Sequence, residues 1–413
     1  MSQYPHTQFD MIPYGKQSIT EADKKAVEEA LCSGWLTTGP KVSEFESAFA
    51  EKIGAKHAIA VSNATAALQI SLLAVGIKPG QRVVTSPNTF LASATSAALI
   101  GAIPDFCDIE LTSYNLCPTS LANSWQADTK AVVAVDYAGQ TANMPAISKV
   151  ARDNGAVVIE DACHALLGEF EYQNKVHQVG NHPWADITTF SFHPVKTMTT
   201  GEGGMIVTNN DEYARAAKAL RTHGMVRTPD DFTGLGDAQF IEHGPWYYEM
   251  QHLGLNARIT DFQCALGLSQ LSRVDSFLER RREIVHQYNN AFANLDHVQI
   301  PELRNQADAK FTSWHLYTLL VDFAALGNTR SDFMTTLGNH GIGSQVLYIP
   351  VYLQPWFRNT YGYGSGKCPN AEAFYLKALS LPLFTSMSQA DVHTVINAVK
   401  STCDRAKHQG SEA

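Results

Sequence analysis

The chain lacks what nucleic acids and membranes recognise. Its 31 lysines and arginines form no basic run longer than Arg280-Arg281-Arg282, and 40 acidic residues bring the net charge to −9. Nucleic-acid binding rests on clustered positive charge, so the pattern argues against that partner class. An anionic small molecule can still bind in a locally arranged pocket. No apolar stretch approaches the ~20 residues of a bilayer-spanning helix, so no membrane partner is expected. The opening MSQYPHTQFD has neither a basic leader nor an apolar core for a secretory signal. The seven cysteines (Cys32, Cys107, Cys117, Cys163, Cys264, Cys368 and Cys403) include no C-x-x-C pair. A scattered, odd set suits reduced thiols in a cytoplasm and offers no zinc spacing, so no metal is expected. There is no short internal repeat and no low-complexity segment.

Length and apolar content are what the chain has. Hydrophobic residues make up 45% of 413 and charged residues 17%, which supports a packed core and exceeds what one core organises. Thr20-Glu21-Ala22-Asp23 reads as a capping box for a helix that stops near Gly34, and Lys41 to Ile53 as a second helix ending before Gly54. Short apolar or β-branched runs then predict strands at His57–Val61, Arg82–Thr85, Ala131–Val135, Ala156–Ile159, Ile187–Phe192 and Met205–Thr208. Helices are expected between them at Ala64–Val75, Thr89–Ile100 and Pro145–Asp153. This alternation predicts an α/β fold with a mostly parallel sheet covered on both faces. The second half changes character. It predicts one long helix over Ile259–Leu295, strands at Leu316–Val321 and Ile342–Tyr348, and helices near Ser331–Asn339, Asn370–Leu379 and Gln389–Lys400. A large α/β domain over residues 1–265 and a smaller C-terminal α+β domain over 266–413 are expected.

Parallel sheets bind ligands beyond the carboxyl ends of their strands, and three strand ends here carry useful groups. Asn63-Ala64-Thr65 follows the first strand and opens a helix. Asp161 follows Ile159. Ser191 and Lys196 follow the run from Ile187 in SFHPVKTMTTGEGGMIV, where Gly203-Gly204 opens the next strand. Taken singly, each has a plain reading. A loop lysine is usually solvated, a strand-end aspartate is usually a turn residue, and GEGG alone can be a turn. His164 can be a hydrogen-bonded core histidine, and Phe90 ordinary packing. Their joint arrangement on one sheet edge is what such readings leave unexplained. A semi-buried lysine can form a Schiff base with an aldehyde. A pyridoxal-type cofactor also needs a carboxylate at its ring nitrogen and a helix N-terminus with a hydroxyl for its phosphate. Lys196, Asp161 and the Ala64-Thr65 turn supply those three parts.

The motifs IEDACHALLG (159–168) and SFHPVKTMTTGEGG (191–204) resemble the signatures of the DegT/StrS sugar aminotransferases. So do GWLTTGPKVSEFE (34–46), SNATAALQISL (62–72), LRTHG (220–224) and LSLPLF (379–384), in the expected order along nearly the whole chain. HGPWYYEMQHLGLNARITDFQCALGLSQL (243–271), with SFHPVK, is similar to one branch of that family. That branch aminates C4 of a UDP-linked 4-keto-6-deoxy-N-acetylhexosamine in pseudaminic acid synthesis. The resemblance implies the pyridoxal-phosphate-dependent transferase fold of type I, pyridoxal 5'-phosphate as cofactor, and L-glutamate as amino donor. It also implies a homodimer with a shared active site. Residue by residue, it implies Lys196 as the lysine that carries the cofactor, Asp161 as the partner of the ring nitrogen, and Phe90 as the ring-stacking aromatic. His164 is implied at the ring substituents, and Ala64, Thr65 and Ser191 at the phosphate. Asn256 is implied to reach the phosphate from the neighbouring subunit. Tyr14, Gly34, Trp35, Leu36, Thr37, Arg258 and Tyr348 are implied near the nucleotide-sugar. Arg258 suits a diphosphate through its guanidinium fork, or serves as a helix-start arginine in a subunit contact.

Two departures fall near the expected sugar pocket. In VLYIPVYLQP, Leu347 and Tyr352 stand where relatives often have histidines; in LGLNARI, Leu255 and Ala257 stand where aromatics are common. Three other readings stay open. A sugar 3-dehydrase of the same fold is expected to carry histidine in place of Lys196. A non-catalytic cofactor-binding or regulatory protein is expected to lose Lys196 or Asp161. An aminotransferase for a GDP- or dTDP-linked 4-keto-6-deoxysugar would keep both, and GPWYYEMQ favours the UDP-N-acetyl acceptor over it.

Overall fold

The computed structural model describes residues 11–234 and 244–409, apart from the side chains of residues 405–409. The opening decapeptide and His243 of the 243–271 motif lie outside the described residues. Seven strands form the central sheet: β1 His57–Val61, β2 Arg82–Thr85, β3 Ile103–Phe106, β4 Thr129–Val135, β5 Val157–Asp161, β6 Ile187–Ser191 and β7 Gly204–Thr208. Their spatial order is β1-β7-β6-β5-β4-β2-β3. Strands β2 to β6 pair in parallel, and β7 runs antiparallel to both β6 and β1. The sheet is mostly parallel, as the alternation predicts.

Helices α1 Glu21–Cys32, α2 Pro40–Ile53, α3 Ala64–Ala74, α4 Ala92–Leu99, α5 Met144–Asp153, α6 Asp211–Leu220, α7 Asp261–Leu271 and α8 Val274–Phe292 accompany it. Successive strand residues enter opposite cores, because side chains alternate across a strand. In β4, Ala131 and Val133 pack with Leu68 and Leu72 of α3 and Ala97 of α4, whereas Val132 and Ala134 pack with Met144, Ile147 and Ala151 of α5. Both faces are dry, which is why these strands read as unbroken apolar runs. The same alternation aims Ser191. Phe190 and Phe192 on either side of it lie in the core with Phe45 and Phe49 of α2, at ring separations of 5.3 to 5.6 Å. Ser191 therefore faces the other way.

A second, antiparallel sheet joins β8 Val298–Gln299, β9 Tyr317–Val321 and β10 Ala378–Leu381. It packs with Ile284, Tyr288 and Phe292 of α8 and with Val392, Val395 and Val399 of the helix Gln389–Gln409.

Several expectations need correction. The single helix expected over Ile259–Leu295 is two, α7 and α8. They part at Ser272-Arg273, where Arg273 leaves helical geometry and its guanidinium reaches buried Asp23 of α1 at 2.6 Å. The segment Ile342–Tyr348 is not a strand. It makes single bridges to Ile12 and Ser380, passing between two neighbours with no ladder along either. The helix expected to reach Leu379 stops at Lys377, because Ala378–Leu381 pairs with β9. Strand β3 was not expected; its Ile103-Pro104-Asp105-Phe106 lacks a plain apolar run. Helix α4 starts at Ala92, which leaves Phe90 on the turn before it.

Inside the sheet, the Glu160 carboxylate accepts from Thr188 Oγ1 at 2.8 Å and the Gly180 amide at 3.2 Å, and lies 2.9 Å from His182 Nε2. Burial pushes this carboxyl up. The His182 charge and the bonds from His182, Thr188 and Gly180 outweigh that and hold it below the ordinary 4.5. Such a group stabilises the fold above its unfolded pKa, and the contribution fades as pH falls through the folded one. His182→Leu removes the main partner and strands a buried charge. Its loss in melting temperature should be larger at about pH 7.5 than at about pH 5, where protonation of Glu160 relieves that charge. Equal losses at both pH values would contradict this account of the pair.

Candidate active site

A cavity of about 740 Å³ opens at the carboxyl edge of the parallel strands, lined in part by residues following β1, β5 and β6. The turn from β1 into α3 builds one wall. Asn63 caps the helix, its side chain accepting from the Ala66 amide at 2.8 Å and its carbonyl from the Ala67 amide at 3.0 Å. The first amides of a helix have no partner within it, so those of Ala64 and Thr65 remain available where the two residues line the cavity. Ser191 lines it as well. Two free amides at the positive end of a helix, with hydroxyls beside them, make an anion cradle. Gly204 lets β7 come close behind it. A Cβ there would stand 2.7 Å from the Asn63 carbonyl carbon and 2.8 Å from the Ala64 nitrogen, nearer than real contacts allow.

Asp161 is the last residue of β5 and is 5% exposed. Ser93 Oγ donates to its Oδ2 at 2.6 Å, the Cys163 amide donates to Oδ1 at 3.3 Å, and Thr89 Oγ1 lies 2.7 Å from Ser93 Oγ. The carboxylate is thus held on both oxygens while still lining the cavity. Lys196 sits on the loop between β6 and β7, its amide bonded to the His193 carbonyl at 2.8 Å. Loss of water around the amine lowers its pKa below the usual lysine range, against the opposing pull of Cys163 and Asp161. A lysine in that state carries more of the free amine that attacks carbonyls.

His164 stands beside them. The Ala138 amide donates to its Nδ1 at 3.2 Å, which fixes the neutral ring with its proton on Nε2, 3.3 Å from the Tyr348 hydroxyl. Burial, then the nearby Lys196 charge, keeps this imidazole well below the ordinary 6.5. Burial likewise holds Tyr14 and Tyr348 as neutral phenols. Phe90 is 58% exposed at the cavity mouth, its ring 6.3 Å from that of Tyr348.

The family model for DegT/DnrJ/EryC1/StrS aminotransferases matches residues 17–400. The chain belongs to that family. It is 40% identical over 390 residues to the spore coat polysaccharide biosynthesis protein SpsC of Bacillus subtilis, covering 94% of this chain and 96% of that one. It is 36% identical over 401 residues to the UDP-4-amino-4,6-dideoxy-N-acetyl-beta-L-altrosamine transaminase of Campylobacter jejuni, covering 96% and 99%. Among solved structures, it resembles Helicobacter pylori PseC, an aminotransferase involved in the biosynthesis of pseudoaminic acid. The match has TM-score 0.84 and 30% identity and covers 96% of this chain and 100% of that one.

Of the residues singled out from sequence, the cavity gathers Tyr14, Ala64, Thr65, Phe90, Asp161, His164, Ser191, Lys196 and Tyr348. It does not gather Gly34, Trp35, Leu36, Thr37, Asn256 or Arg258. Their contacts lie elsewhere. Thr37 bridges Thr260, the Leu36 carbonyl accepts from the Asp261 amide at 3.0 Å, and Asn256 bridges Thr222. Arg258 lines a separate hollow of about 310 Å³ with Thr38, Glu46 and Arg221. Three of the four departures also lie away from the cavity. Ala257 is buried between the Arg221 carbonyl and the Ser62 amide, and Leu255 packs on the core of α3 and α6. Tyr352 is buried with its hydroxyl on Glu372. Only Leu347 of the four lines the cavity.

Sequence reasoning missed Ser93, Thr89 and His315. Thr89 lies in the bend before α4 and Ser93 in its first turn, so no helical spacing in the sequence ties the two. His315 just precedes β9, at the end of a strand opposite to the one searched. Gly204→Ala should displace the Asn63–Ala64 turn and weaken binding of pyridoxal phosphate by tenfold or more, about 1.4 kcal/mol. Gly338→Ala, in open space, should leave it unchanged. Equal affinity in both variants, measured by fluorescence titration, would contradict the cradle.

Proposed function

We propose that this chain is a pyridoxal-phosphate-dependent sugar aminotransferase that adds an amino group to C4 of a UDP-linked 4-keto-6-deoxy-N-acetylhexosamine. The amino group comes from L-glutamate, in pseudaminic acid synthesis. The observation that carries the chemistry is the meeting of Lys196, Asp161 and the Ala64–Thr65 amides in one cavity. The donor set fits the cofactor: a desolvated amine for its aldehyde, a carboxylate held on both oxygens for its ring nitrogen, and an anion cradle for its phosphate. The acceptor rests on likeness to the Campylobacter and Helicobacter proteins. Lys196 in that position favours an aminotransferase over a same-fold dehydrase.

When bound, pyridoxal phosphate supplies an electron sink for the bonds at the donor Cα. The chain's own residues do the rest. Ala64, Thr65 and Ser191 hold the phosphate, Phe90 covers the ring, and His164 meets its substituents. Asp161 keeps a proton on the ring nitrogen. The Lys196 amine would take the proton from the donor Cα and, when the keto sugar follows, would return a proton to the C4 of that sugar. Gly34–Thr37, Asn256 and Arg258 would serve the neighbouring copy's cavity in a homodimer. With this reading goes a cofactor-binding unit over 1–265 and a smaller unit over 266–413.

Glutamate should bleach the visible absorbance of the cofactor-loaded enzyme, and one member of a panel of UDP-, GDP- and dTDP-linked keto sugars should restore it. Recovery with the UDP-N-acetyl sugar is expected; recovery with another sugar alone would overturn the acceptor. Lys196→Ala should lose at least ~10³-fold in turnover, and near-normal turnover would overturn the assignment.

A further inference from the structure

Arg281 carries a buried charge that the proposed chemistry does not use. Its side chain on α8 is fully buried, and no carboxylate meets it among the described residues. Nη1 donates to the carbonyls of Trp314 and His315, each at 3.3 Å, and of Leu383 at 3.0 Å, while Nε has no partner among the described residues. A buried charge matched only by carbonyl dipoles is costly, and burial draws its pKa down to about 10. What it holds is the turn before β9. The same turn is tied from its other side. The amides of Ser313 and His315 donate to the carbonyls of Gly139 at 3.2 Å and Ala138 at 2.9 Å, and Ser313 Oγ donates to the Leu166 carbonyl at 2.7 Å. Trp314 is held at φ +49°, a conformation that costs a residue with a side chain. Gly139 permits the close approach, since a Cβ there would lie 2.6 Å from the Trp314 nitrogen.

So strong a clamp delivers one side chain to the cavity. His315 Nε2 lies 3.5 Å from Lys196 Nζ, and its ring centroid lies 4.3 Å from that of His164. Its Nδ1 is buried without a hydrogen-bond partner among the described residues. Among the described residues, the Lys196 amine is the hydrogen-bonding group that this imidazole reaches.

We propose that His315 is a positioning residue for Lys196: its Nε2 accepts a hydrogen bond from the lysine amine and fixes where that amine stands while it carries a proton. Burial first, then the nearby charges of Lys196 and Arg281, keep the His315 ring well below the ordinary 6.5, so it is neutral and has a lone pair to offer. The other groups around Lys196 are Asp161 at the end of β5, Cys163 and His164 after it, and His193 on its own loop; Tyr14, Glu202 and Tyr348 line the same cavity. An acceptor beside an ammonium favours the charged form. The catalytic consequence rests on the proposed aminotransferase activity; the contact itself does not.

The test reads Lys196 directly. Cofactor-free full-length protein is reductively methylated with formaldehyde across a pH series, and labelling at Lys196 is quantified by peptide mass spectrometry. In His315→Leu the labelling midpoint should fall by about one pH unit, as expected for losing a bond to a charged group. His315→Gln, which accepts through its amide oxygen, should recover at least about half of that shift. Should His315→Leu fail to fold, His315→Met carries the same expectation. In the loaded enzyme, kcat should fall about tenfold in the apolar variant with little change in KM, the mark of a group that acts after substrate has bound. An unmoved midpoint in the apolar variant, or a glutamine variant that matches it, would overturn the role. Labelling needs neither cofactor nor sugar, so this failure is separable from failure of the aminotransferase reading.

Discussion

A lysine amine kept partly out of water, within a few ångströms of a histidine cluster and across a cavity from a buried carboxylate, is the arrangement on which the rest depends. Neither group could hold that state on a solvated loop, where an amine stays protonated at neutral pH. The sheet solves this by geometry. β5 and β6 are adjacent and parallel, so Asp161 and the start of the Lys196 loop leave the sheet at the same edge. The paired phenylalanines around Ser191 root β6 in the core, and the loop rises from a fixed base.

The cavity wall shows the same economy. The anion cradle, among the described residues, is built from two helix amides, hydroxyls, and a glycine behind them that gives up its side chain so the strand can close in. Asp161 is likewise held by a hydroxyl and an amide rather than a cation, which leaves its charge free to act on whatever occupies the cavity.

The sheet and the cavity were legible in the sequence to different depths. β1 and β2 match the predicted strands residue for residue, because a strand dry on both faces leaves an unbroken apolar run and sharp polar ends. Lys196, Asp161 and the Asn63–Thr65 turn stand out because each lies at or just past the carboxyl end of a strand, where a parallel sheet presents its ligand-binding groups. The long helix was misread because nothing local marks the break at Arg273: its cause is Asp23, 250 residues away. Ile342–Tyr348 has strand composition but divides its bonds between Ile12 and Ser380, a fact of tertiary placement. His315 escaped for a related reason, since its position is imposed by Arg281 and Gly139 rather than by its own strand. Residues 34–37, 256 and 258 do not line the cavity of their own chain, and their placement is set by tertiary contacts such as those of Leu36 with Asp261 and Asn256 with Thr222 rather than by local sequence.

The most direct measurement is borohydride reduction of the purified, cofactor-loaded enzyme, with peptide mapping of the product. The proposed function predicts a pyridoxyl group fixed to Nζ of Lys196. A pyridoxyl group on another residue, or on none, would contradict it.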